Sequence, residues 1–106
     1  MAEKIKTLLN ELKAGLRRIY GPRLKGLYLY GSYARGEEDN ESDLDVMIVL
    51  DHLEQYGAEV EKTGHLISSL SLKSGISISR VFVSEQDWIG RDTRFLANAR
   101  LEGIPA

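Results

Sequence analysis

The sequence predicts an α/β (α+β) fold, with a small mixed sheet and helices packed on it. Three observations point there. Two apolar runs of strand length, Leu24–Tyr30 and Leu44–Leu50, flank a Gly-Ser turn and a polar loop. Helical periodicity precedes, separates and follows the strand-like runs, giving the order α, β, short α, β, α, β, α. A long helical segment also connects the second strand to the third, which permits a parallel pair there.

Each element has its own signal. From Lys4 to Tyr20, Ile5, Leu8, Leu9, Leu12, Leu16 and Ile19 recur on one helical face and charged residues fill the other. Gly21-Pro22 stops this helix, because proline cannot continue it. Leu24–Tyr30 is short, apolar and aromatic and ends at Gly31, as a strand does. Ser32–Arg35 reads as one helical turn, and residues 37–42, EEDNES, read as a loop. The continuous run LDVMIVL at Leu44–Leu50 suits a central strand buried on both faces.

From Leu53 to Lys73 the apolar spacing is helical, weakened by Gly57 and Gly64, and Gly75 stands where a C-terminal glycine belongs. Ile76–Val83, ISISRVFV, alternates as a strand. Ser84 is placed to cap a following helix. A last helical segment, near Arg91–Glu102, ends at Gly103 and Pro105.

A chain of 106 residues is expected to form one domain over 1–106, since two cores would not fit. With 42% hydrophobic and 28% charged residues, disorder is disfavoured. The net charge of −2 gives no basic field for an extended nucleic-acid surface, and it leaves little repulsion against a protein partner or a homo-oligomer. Without cysteine there is no disulfide framework and no thiolate metal site. The N-terminal segment carries charges throughout, which fits neither a signal peptide nor a membrane span, so a cytoplasmic protein is expected.

The chemistry concentrates in LYLYGSYARGEEDNESDLDVMIVL, residues 27–50. Gly31 permits a sharp turn and close approach of a ligand to the backbone. Free N–H groups at Ser32, its hydroxyl, and the planar fork of Arg35 one turn later are suited to a phosphate. A P-loop is excluded, because Glu37-Glu38 stand where lysine and a hydroxyl residue are required.

Asp43 and Asp45 lie two apart at the start of a strand, so both carboxylates project on one face. Like charges this close repel, and a divalent cation with water and phosphate oxygens relieves them. The plainer alternative is a turn aspartate and an exposed edge-strand aspartate. The phosphate-type turn upstream and the apolar strand downstream favour the metal reading. A calcium loop over Asp39–Leu50 fails, with Leu44 at the glycine position and Leu50 at the glutamate position. His52 and His65 read as surface residues. Tyr28 and Tyr30 read as strand packing, and Tyr33 as either packing or a base-stacking group. Trp88, Phe95 and Leu96 either dock a C-terminal helix or form a partner patch.

Gly31-Ser32, ten residues, then Asp43-Leu44-Asp45 between hydrophobic runs resembles the DNA polymerase β nucleotidyltransferase superfamily. The short chain and the GSxARG form look most like its minimal nucleotidyltransferases. ISISRVFVSEQDW and FLANARLEGIPA are similar, more loosely, to the ends of such proteins.

The resemblance implies the polymerase-β-type fold, with Gly31, Ser32 and Arg35 at the nucleotide. Asp43 and Asp45 would be catalytic, holding magnesium, or alternatively manganese, with ATP as co-substrate. It implies transfer of a nucleoside monophosphate to a hydroxyl with release of pyrophosphate. It also implies an antitoxin role beside a helical HEPN-type toxin, neutralised by adenylylation, by binding alone, or by both. An aminoglycoside-type small-molecule transferase is a weaker alternative. Active members carry a third carboxylate on the next core strand. The equivalent here is Ser79, with Ser77 next, and a serine is neither a base nor a strong magnesium ligand.

Overall fold

The computed structural model describes residues 2–106. Helix α1, Glu3–Tyr20, is followed by a 3-10 turn at Gly21–Arg23 and strand β1, Leu24–Tyr30. The single turn α2, Ser32–Arg35, leads through the polar loop to β2, Leu44–Leu50. Then come α3 (Tyr56–Ser74), β3 (Ile78–Ser84), α4 (Glu85–Gly90), α5 (Arg94–Glu102) and a two-residue strand β4, Ile104–Pro105.

The four strands form one mixed sheet in the order β3-β2-β1-β4. β1 runs antiparallel to β2 and to β4, whereas β2 and β3 are parallel, joined by α3 as the long connection requires. β2 is therefore internal, and its sequence shows why. Leu44, Val46, Ile48 and Leu50 are buried toward Leu8, Leu12, Leu16, Ile67 and Leu70 of α1 and α3. Met47 and Val49 are buried on the opposite face against Val83, Trp88, Leu96 and Ala99. Burying each such side chain contributes roughly 1.5–3 kcal/mol, so the start of β2 is a firm mount for whatever projects from it.

Four local expectations are corrected. On α1 the buried residue beyond Leu16 is Tyr20, four positions on, while Ile19 is 38% exposed. α3 begins at Tyr56 instead of Leu53, and Leu53 packs on the core from the preceding loop. The last helical segment, α5, starts at Arg94 instead of near Arg91, after the separate Ser84-capped helix α4. β4, too short for any periodicity, pairs Ile104 with Leu29 and Pro105 with Tyr28. The Ser84 cap forms, its hydroxyl accepting from the Asp87 N–H at 3.1 Å. Gly75 closes α3 at φ 74°. Among the described residues no helix is long and apolar enough to cross a membrane.

Candidate functional site

The end of β1 and the start of β2 meet at one edge of the sheet, where Tyr30 pairs with Asp45. The chain must leave β1 abruptly there to begin α2. Gly31 supplies the bend with φ 77°, a region that side-chain-bearing residues rarely adopt. It also faces the Asp45 carboxylate so closely that a Cβ would collide with it. Glycine is thus required twice, by backbone angle and by contact. α2 closes with the Arg35 N–H donating to the Gly31 carbonyl at 3.1 Å, and Gly36 ends it in the left-handed region.

On the β3 side, the parallel register places Ser79 opposite Asp45. Paired residues project from the same face of a sheet, so Asp45 stands between Tyr30 and Ser79. Ser77 lies before β3 and is exposed, and its carbonyl accepts from the Leu44 N–H at 2.8 Å. The next acidic residues, Glu85 and Asp87, are at the wrong end of the sheet. They follow Ser84, which pairs with Leu50, about 16 Å along the strands from Asp45.

Asp43 is exposed and Asp45 half-buried, flanking the fully buried Leu44. Burial raises the Asp45 pKa, the Asp43 charge raises it further, and Arg35 opposes both. Among the described residues neither aspartate forms an ion pair. Burial likewise pushes the Tyr30 hydroxyl up to about 12, with Asp45 adding to it. Arg35 is taken up elsewhere: its Nη1 donates to both Glu102 oxygens, at 3.1 and 3.3 Å, and its Nε to Glu37 at 3.4 Å. Glu102 also accepts from the Gly31 N–H at 3.1 Å. This carboxylate was not singled out from the sequence. It arrives because α5 and β4 carry the chain back beside β1, and its only signal was the family-like ending FLANARLEGIPA.

The donor set suits a hard cation. Two carboxylates and a hydroxyl offer only oxygen, and crowding of charge at Asp45 is what a divalent ion would relieve. Among the described residues no three His, Cys, Asp or Glu are grouped as a metal cage. Magnesium is held by one or two carboxylates and completes its shell with water and substrate oxygens, so Asp43 and Asp45 are donors of the kind it takes. The calcium-loop pattern is otherwise employed: Asp39 caps its own turn, accepting from the Glu41 N–H at 2.8 Å. A cavity of about 620 Å³ opens beside α2, lined by Ile5, Tyr33, Ala34, Arg35 and Ile76 among others, but it includes neither aspartate. The aspartates therefore lie outside that cavity.

Tyr28 stacks on buried Trp88 at 4.7 Å, and Tyr30 meets Phe95 edge-on at 5.7 Å. Trp88 and Leu96 thus dock the C-terminal helices, while Phe95 remains 47% exposed. Tyr33 is partly buried against the α1-side core. His52 is exposed and paired with Asp51, and His65 is exposed.

Comparison with known proteins adds independent findings. A family model described as a nucleotidyltransferase domain matches residues 9–94. A protein of Methanocaldococcus jannaschii assigned as a protein adenylyltransferase is 37% identical over 82 residues, 77% of this chain and 72% of that one. The protein adenylyltransferase MntA of Thermococcus cleftensis is 34% identical, over 71% of this chain and 84% of the relative. Among solved structures, a toxin-antitoxin crystal structure with AMP-PNP matches with a TM-score of 0.65 at 23% identity, covering 91% of this chain and 69% of that chain. A structure assigned as a minimal nucleotidyltransferase matches at 0.59 and 24% identity, covering 95% and 94%. At these identities the structural matches speak to the fold.

Proposed function

The chain belongs to the nucleotidyltransferase domain family, and from that membership we propose that it is an adenylyltransferase-type antitoxin. In this reading it binds ATP with magnesium, transfers AMP to a hydroxyl of a HEPN-type toxin and so neutralises it. The observation that carries the reading is the convergence of Gly31, Asp43, Asp45 and the Ser79 position at one end of the sheet. Relatives named as protein adenylyltransferases support the reaction class, and the toxin-antitoxin matches support the setting.

The residues have distinct tasks. Gly31 and Ser32 hold the phosphates through backbone N–H groups and a hydroxyl, and Arg35 pairs with phosphate oxygens. Asp43 and Asp45 hold the cation, with manganese as an alternative ion. When bound, the cation neutralises charge on the phosphates and orients an in-line displacement. In the transfer, the acceptor oxygen bonds to the α-phosphorus. The bond from that phosphorus to the oxygen bridging to the β-phosphate breaks, pyrophosphate leaves, and the acceptor proton goes to solvent or to a group on the partner. Ser79 is not a base, so this chain supplies binding and orientation more than proton abstraction.

That serine favours a second reading, in which the domain neutralises its partner by binding alone. The test is ATP labelled at the α-phosphate, with magnesium and a co-expressed HEPN partner, using wild type and Ser79→Asp. Label on the partner with wild type supports transfer. Label only with Ser79→Asp supports neutralisation by binding on an otherwise intact scaffold. Label with neither, while the partner is still neutralised, overturns the transferase reading.

A further inference from the structure

We propose that Glu102 is a built-in anion that occupies the phosphate-holding turn, so that a nucleotide binds by displacing it; this rests on the nucleotide site proposed above. The Gly31 N–H, which that site assigns to phosphate, already donates to Glu102 Oε1 at 3.1 Å. The Arg35 Nη1 contacts both Glu102 oxygens, at 3.1 and 3.3 Å. A carboxylate presents two oxygens in a plane, as one edge of a phosphate does, and the single Gly31 N–H cannot be given in full to both anions at once, while the Arg35 Nη1 is already turned to Glu102.

The carboxylate is delivered by a fixed arm. Glu102 is the last residue of α5, anchored by buried Leu96 and Ala99. Gly103 then turns the chain so tightly that a Cβ there would lie 2.6 Å from the Ala99 carbonyl oxygen. Immediately beyond, Ile104 and Pro105 pair with Leu29 and Tyr28, just upstream of Gly31. The geometry therefore returns Glu102 to the same place whenever β4 is paired. A different role, as the missing third carboxylate at the cation, fits less well. Its oxygens face the phosphate donors, and it completes no three-carboxylate group among the described residues.

The consequence is a lowered apparent affinity. An occupant present about nine-tenths of the time weakens binding about tenfold. The experiment is calorimetric titration of the whole chain with ATP and magnesium, comparing wild type with Glu102→Gln, and Glu102→Asp as a second variant with a shorter reach. Binding roughly 3- to 10-fold tighter in either variant is expected. Inorganic tripolyphosphate should gain by a similar factor, because it has only the phosphates in common with ATP.

Unchanged affinity in folded variants, with wild type binding normally, would overturn the displacement and leave the nucleotide site standing. Weaker binding with a lost magnesium requirement would overturn it too, and would make Glu102 a cation ligand. Binding by no variant and no wild type would remove the nucleotide site, and the displacement with it.

Discussion

The two ends of β2 both gather carboxylates, and they treat them oppositely. Beyond Leu50, Asp51 accepts from Arg23 at 3.1 Å, and Glu59, 5% exposed, accepts from Tyr20 at 2.9 Å and from Arg23 at 3.5 Å. Lys62 stands 3.6 Å from Glu59. Nearby Arg80 donates to Thr63, which is fully buried, and to the Val60 carbonyl. Both of these acids have a cation or a donor. About 20 Å away along the strand, Asp43 and Asp45 have neither among the described residues, and the one arginine within reach is held by Glu102 and Glu37. Charges that support a fold are paired within it. On the function proposed above, the charges left crowded and unpaired at the glycine turn are the ones that receive a ligand.

The largest effect expected from this contrast is at the paired end. Glu59→Ala strips a buried hydroxyl and an arginine of their acceptor, and should cost about 2–4 kcal/mol of stability by urea denaturation. Nucleotide binding by the folded fraction should not change. A cost near zero would show that the paired end is not structural. Next is Gly31→Ala, which forces an unfavourable φ and a collision with Asp45. It should cost about 1–3 kcal/mol in the same assay.

The smallest effect on stability is at the unpaired end. Asp45 has its pKa raised by burial and by Asp43, so the folded state holds that proton more tightly than the unfolded chain. Stability of the cation-free protein should therefore fall as pH rises from the ordinary aspartate pKa through the higher folded value. Asp45→Asn should flatten that slope and be no less stable than wild type at neutral pH. A marked loss of stability in Asp45→Asn would mean that Asp45, too, is a structural acid, and would erase the contrast.

Much of the frame was legible because its signals are local. β1, α2 and β2 are bounded by Gly31, Gly36 and a polar loop, and their apolar runs have strand or turn length. The Gly-Ser and Asp-x-Asp pattern was legible for the same reason, being contained within residues 27–50. What escaped depends on the path of the chain through space. β4 has two residues and no periodicity, and its pairing with β1 follows only from the course of α5. Glu102 reaches Gly31 across 71 positions of sequence for that reason. Tyr20 replaced Ile19 in the core because its ring fills the space toward Phe82, 6.5 Å away, while its hydroxyl meets Glu59.

The central claim is that the unpaired aspartates exist to hold a cation and its nucleotide. Its most direct measurement is titration of ATP into wild type and Asp45→Asn, with and without magnesium, alongside thermal melts of both. Wild type should show saturable, magnesium-dependent binding, weakened on the order of 100-fold or more in Asp45→Asn, with the melting temperature unchanged or raised. Equal binding by the two proteins, or binding indifferent to magnesium, would contradict that claim.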